Sequence, residues 1–180
     1  RPPGISSVRH NGYSLQGGDI EVDLLVVYTE AARKKAGERQ KQPDNHNHIK
    51  NLMERYVNIT NAALENSDVN VKINIVHREQ VNYQEADEEG VLEKSIDDLT
   101  AENKGLEDIS NLRNKHKADL VCLVISSQMG LTLPEIKRNG IFRGIGRIGD
   151  YPSVINIVAQ DNVFTETGPS TLAHELGHNF

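Results

Sequence analysis

The chain has 180 residues, enough for one domain with its own core and too few for two to be expected. Hydrophobic residues make up 37% and charged residues 26%, ordinary for a globular domain, and no apolar run approaches the roughly 20 residues of a membrane-spanning helix. A net charge of −6 without a basic stripe speaks against a nucleic-acid binder, and a single cysteine, Cys122, forms no internal disulfide.

Residues 1–20 hold Pro2-Pro3-Gly4, Gly12 and Gly17-Gly18 with few apolar side chains, and read as a leader or linker to a domain spanning 21–180. Val22–Tyr28 is a short β-branched apolar run, the pattern of a buried strand. The basic stretch Arg33-Lys34-Lys35, with Arg39 and Lys41 behind it, is interleaved with Glu30 and Glu38 and reads as solvated surface. From Asn47 to Leu64 the residues Ile49, Leu52, Met53, Tyr56, Val57, Thr60, Ala63 and Leu64 fall on one helical face. Val69, Val71, Ile73 and Ile75 alternate with polar residues, which predicts a strand with one wet face.

Val91 to Lys117 predicts a helix in two pieces, broken near Gly105. Asp119–Ser126 is the most hydrophobic stretch and predicts a central strand, with Cys122 as a small core residue. Gly130, Pro134, Gly140, Gly144, Gly146 and Gly149 then mark a loop-rich region, with a strand expected from Ile141 to Ile148. Val154–Val158 is a further strand, and a helix is expected from about Pro169, a residue preorganised for a first helical turn. The order β-α-β-α-β-β-β-α predicts an α/β domain whose twisted sheet is mainly parallel and flanked by helices.

The chemistry concentrates in His174-Glu175-Leu176-Gly177-His178. Residues four apart on a helix lie one above the other, so His174 and His178 aim their imidazoles at one point. Zinc accepts two such nitrogens as half of a tetrahedral shell. Glu175, one residue round, is placed to act as a general base on a water held by the metal rather than as a ligand. Leu172, Ala173, Leu176 and Phe180 supply an apolar side to seat the helix, and Gly177 predicts close backbone packing. The remaining histidines read blandly: His46 and His48 as surface at a helix start, His77 and His116 as solvated ends of a strand and a helix, His10 as part of the leader. The glycosylation-like Asn58-Ile-Thr60 falls on a predicted helix and is discounted.

Thr171-Leu-Ala-His-Glu-Leu-Gly-His-Asn-Phe180 resembles the active-site helix of the metzincin metallopeptidases, particularly the reprolysin-like (adamalysin-like) peptidases of bacteria. Glu21–Ala32, Val69–His77, Lys117–Val121 and Ser153–Asn156 are similar, in the same order, to that family's strands and turns. The resemblance implies the upper subdomain of a metzincin catalytic domain, with one antiparallel strand at the edge of its sheet. It implies a secreted zinc endopeptidase with one catalytic Zn2+ on His174, His178 and a third histidine. In the pattern H-E-x-x-H-x-x-G-x-x-H that third ligand lies four places past Phe180, so the chain alone is expected to be inactive. A polypeptide substrate would lie along Ile141–Ile148, with Gly144, Ile145 and Gly146 against it.

The chain lacks the cysteines many relatives carry near Gly140 and before the active helix. A thermolysin-like site with a glutamate as third ligand also fits the short motif; the Gly177-His-Asn-Phe ending and the opening strand favour the metzincin. A non-catalytic peptide- or protein-binding domain on the same fold is the alternative function. His77 and His116 are the places within the chain to look for a third ligand, and the oligomeric state is not set by the sequence.

Overall fold

The structure, a computed structural model, describes residues 20–39, 46–85, 91–126, 144–146, 152–156 and 167–177. Of the expected leader 1–20, residues 1–19 with His10 lie outside the described residues, as do the outer parts of the Ile141–Ile148 and Val154–Val158 segments, His178 and Phe180, while Ile20 opens the first strand. In chain order the elements are β1 (Ile20–Tyr28), α1 (Glu30–Arg39), α2 (His46–Asn66), β2 (Val71–Gln80), α3 (Val91–Thr100), α4 (Ile109–His116), β3 (Leu120–Ile125), β4 (Gly144–Gly146), β5 (Pro152–Asn156) and α5 (Thr167–Gly177).

The five strands form one sheet in the order β2-β1-β3-β5-β4. β1 pairs in parallel with β2 and with β3, β3 pairs in parallel with β5, and among the described strands only β4 runs antiparallel, at the edge. This is the expected α/β architecture, including its antiparallel edge strand. β1 and β3 are central and covered on both faces, so from Leu24 to Tyr28 and from Leu120 to Ile125 their side chains are buried without alternation. Leu24, Val26 and Tyr28 of β1, with Cys122 and Val124 of β3, meet α1, α2 and α5 on one face. Leu25 and Val27, with Val121, Leu123 and Ile125, meet α3 and α4 on the other.

α1 departs from the sequence reading. The stretch is not merely solvated surface; it is a helix whose buried side chains include Ala32 and Ala36, four apart. Methyl groups that small make almost no hydrophobic signal, and the charges around them hide it. Thr29 caps the helix, its Oγ1 accepting from the Ala32 amide at 3.0 Å. Lys34 pairs with Glu30 one turn back at 2.8 Å.

α2 runs two residues beyond the expected bounds at its C-terminal end, and its buried face is Ile49, Met53, Tyr56, Val57 and Thr60, as the periodicity predicts. His48 is buried rather than on the surface. Asn61 of this helix closes the outer side of β2: its amide donates to the Ile73 carbonyl and its carbonyl accepts from the Ile73 amide, both at 2.8 Å. An edge strand with its backbone groups engaged in this way is no template for another chain there. β2 itself extends to Gln80, so His77 lies inside the strand and not at its end.

The break between α3 and α4 is where glycine predicts it. Gly105 has φ of +97°, and a Cβ there would meet the Asn82 carbonyl oxygen at 2.1 Å, so no other residue fits. Tyr83 anchors this side: its buried hydroxyl donates to Asp98 Oδ2 at 3.0 Å and lies 3.2 Å from Ser95 Oγ, while Lys104 pairs with the same carboxylate. Burial pushes the Tyr83 phenol up to about 12, so it stays a neutral donor.

Candidate metal centre

In a sheet wound in both directions, the default crevice for a ligand lies at the carboxyl ends of the strands where the connections diverge. Here that place is between β1 and β3, and the chain fills it with its own carboxylate. Glu85 accepts from the Ser126 amide, just past β3, at 2.9 Å, and from the Thr29 hydroxyl, just past β1. Burial, the largest effect, raises the Glu85 carboxyl above its usual range, and the two hydrogen bonds oppose that rise. The switch point is therefore a structural clasp, and the chemistry must be sought elsewhere.

It is sought on α5. This helix starts at Thr167, two residues earlier than expected, which leaves Pro169 within the first turn, where a missing N–H costs no intrahelical bond. Leu172 and Leu176, four apart, are wholly buried in the core shared with α1 and α2. Each such leucine contributes about 1.5–3 kcal/mol of burial. α5 packs against α2 and against β4 and β5, so it lies beneath the antiparallel edge of the sheet.

The helix turn then separates the two chemically active neighbours. His174 is exposed and Glu175 is buried at 6%. Cys122 of β3 lies near Glu175: burial first, and the Glu175 charge second, push the Cys122 thiol up to about 12. A fully buried thiol so disfavoured as thiolate fits the core residue that the sequence predicts. Sequence reasoning placed Cys122 in the core but gave no sign that it sits close to the motif glutamate, because that contact joins residues 53 positions apart in the chain.

The imidazole of His174, on the side of α5 turned away from the core, suits a metal donor. His178, its partner at helical spacing, lies outside the described residues, as does Phe180 of the expected apolar side; Ala173 is only half-buried. Among the described residues Gly177 does not make the close backbone contact that was expected: a Cβ there would meet nothing within 4 Å. Among the described residues no three His, Cys, Asp or Glu side chains gather as a metal site requires. His77 and His116 cannot complete the site. His116 ends α4 and stacks on His77, on the sheet face opposite to α5. Of the residues expected against a substrate, Gly144, Ile145 and Gly146 form β4, which among the described residues is the last strand in the sheet and pairs only with β5.

A helix bearing His174 and Glu175, seated beneath the antiparallel edge of an otherwise parallel sheet, is an architecture consistent with a metallopeptidase upper subdomain. Residues 50–180 match the family described as Metallo-peptidase family M12B Reprolysin-like. The chain belongs to that family. It is similar to a peptidyl-Asp metalloendopeptidase of Pseudomonas aeruginosa, 30% identical over 172 residues that make up 91% of this chain and 25% of that protein. Its fold is also that of a solved structure described as "Structure of a chaperone-substrate complex", with a TM-score of 0.61 at 20% identity, over 93% of this chain and 25% of that one. The chain thus spans about a quarter of the length of each.

Proposed function

We propose that this chain forms the upper part of the catalytic domain of a secreted zinc endopeptidase that cleaves extended polypeptide. The observation that carries the reading is the placement of α5, which turns His174 outward and holds Glu175 beside it under the sheet edge formed by β4. His174 and His178 would hold the ion, and a bound zinc supplies Lewis acidity and a more acidic water. Glu175 takes a proton from the attacking water and returns it to the leaving amine. Its buried seat against β3 holds the carboxylate in one orientation, which is what a proton shuttle needs. β4, at the edge of the sheet among the described residues, offers its outer side to the substrate main chain, and its glycines let that chain approach closely. β2, closed at Ile73 by Asn61, is the less suitable edge.

Catalytic zinc normally has three protein ligands and a water. The motif supplies two, so the 180 residues alone bind zinc weakly and do not hydrolyse peptides; a third ligand comes from the rest of the protein. The test measures zinc content and casein hydrolysis in the full-length protein, for the wild type and for Glu175→Gln. The expected result is zinc retained in both and hydrolysis reduced by about 10²–10⁴ in the variant. Full activity in Glu175→Gln would overturn the mechanism. Zinc-loaded wild type with no activity on any peptide, Asp-containing ones included, would assign a binding domain instead.

A further inference from the structure

The parallel register of β1 and β2 slips once: Leu24 lies opposite Ile75, but Leu25 lies opposite His77. Val76 is the extra residue of a bulge. Its consequence is a reversal of faces for the rest of β2. Arg78 reaches Glu54 of α2 and Gln80 accepts from Arg33 of α1, so both point to the face of those helices. His77 and Glu79 point to the other face, toward α4. Without the slip, His77 would face α2 instead.

There the His77 ring stacks on His116, the last residue of α4, with centroids 3.8 Å apart and planes 6° from parallel. His77 Nε2 lies 3.0 Å from Glu79 Oε2. Nε2 of His116 is sealed from solvent and has no hydrogen-bond partner among the described residues. A bare imidazole lone pair tolerates that position. A protonated ring does not, since it would bury an N–H donor without an acceptor.

We propose that the His77–His116 stack is a proton-operated clasp between the edge strand β2 and the C-terminal end of α4, closed while His116 is neutral and opened when it takes up a proton. The charges around it divide. Glu79 on β2 favours a proton on His116, while Lys115 on α4 opposes it. From β1 the residue opposite His77 is the apolar Leu25, with Asp23 further along that face. Arg113, one turn back on α4, donates to the Asp119 carbonyl at 3.2 Å. Two of the carbonyls that would welcome a cation at the helix end are already engaged: Lys117, at φ of 54°, donates to Asn114 and Ala118 donates to Arg113.

Desolvation first, then His77 and Lys115, lower the His116 pKa below its ordinary 6.5. A histidine depressed in the folded state adds stability that is complete above its unfolded pKa and is lost as pH falls from there through the lowered folded value. The clasp therefore weakens on acidification below about pH 6.5.

Imidazole C–H resonances of the full-length protein, followed from pH 8 to 4.5, test this together with melting curves over the same range. His116 should titrate below 6.5, its midpoint should rise in His77→Gln, and the fall in Tm between pH 7 and 5 should be shallower in His116→Phe. A His116 midpoint at or above 6.5, or the same Tm slope in wild type and His116→Phe, would overturn the proposal. If His116→Phe does not fold, the His116 midpoint in wild type and in His77→Gln decides it.

Discussion

The two faces of the sheet are built from similar apolar material and do different work. The face of α1, α2 and α5 carries the metallopeptidase motif, and its core includes groups small enough to let helices approach: Ala32, Ala36 and Cys122. The face of α3 and α4 carries polar locks instead, with Tyr83, Ser95, Asp98 and Lys104 in one network and the histidine stack at its rim. Both faces hang on the same central strands, whose consecutive residues point to opposite sides. A change in one face should therefore reach stability through the shared strands, yet reach activity only from the α5 side.

The largest effect that would sharpen this contrast comes from Leu172→Ala. It removes a wholly buried side chain that seats α5 and should cost about 2–5 kcal/mol. Thermal unfolding and zinc retention in the full-length protein should fall together, because the helix that loses its seat is the one carrying His174. Zinc retention unchanged at a strongly lowered Tm would show that α5 is held by other contacts.

Tyr83→Phe should cost less, about 1–2 kcal/mol, by taking a donor from the buried Asp98 carboxylate while Lys104 remains. On the opposite face, its effect on hydrolysis per folded molecule should be nil once denaturant melts show the protein folded. A drop in kcat out of proportion to the folded fraction would break the division between faces. The smallest effect is expected at the edge. Gly146→Val on β4 should raise KM for a long peptide several-fold, since a docking backbone leaves little room for an added side chain. An unchanged KM would move substrate binding away from β4.

Much of the fold was legible in the sequence, where the signal is local and strong. The apolar runs of β1 and β3, the periodic face of α2, and the Gly105 break each arise from a side-chain pattern that one element imposes by itself. α1 was not legible, because two alanines bury a helix face without making a hydrophobic stripe. The length of β2 was not legible either, since from His77 onward its side chains are polar and are held by partners on α1, α2 and α4. In the candidate site the motif residues announce themselves by spacing alone. The buried seat of Glu175, its neighbour Cys122 and the closure of the β1–β3 crevice by Glu85 do not, because each joins segments far apart in the chain.

What the sequence by itself determined is the kind of sheet, and it points to a class of chemistry. The His-Glu-x-x-His spacing predicts a helical metal motif through the 3.6-residue turn, and unalternating apolar strands call for a parallel sheet covered on both faces. Only the tertiary structure decided which face each group serves. A single extra residue at Val76 sends His77 to α4 and Arg78 to α2, and a one-residue step along α5 turns His174 outward and Glu175 inward. Periodicity states which residues share a side, but the side itself is chosen by what packs against it.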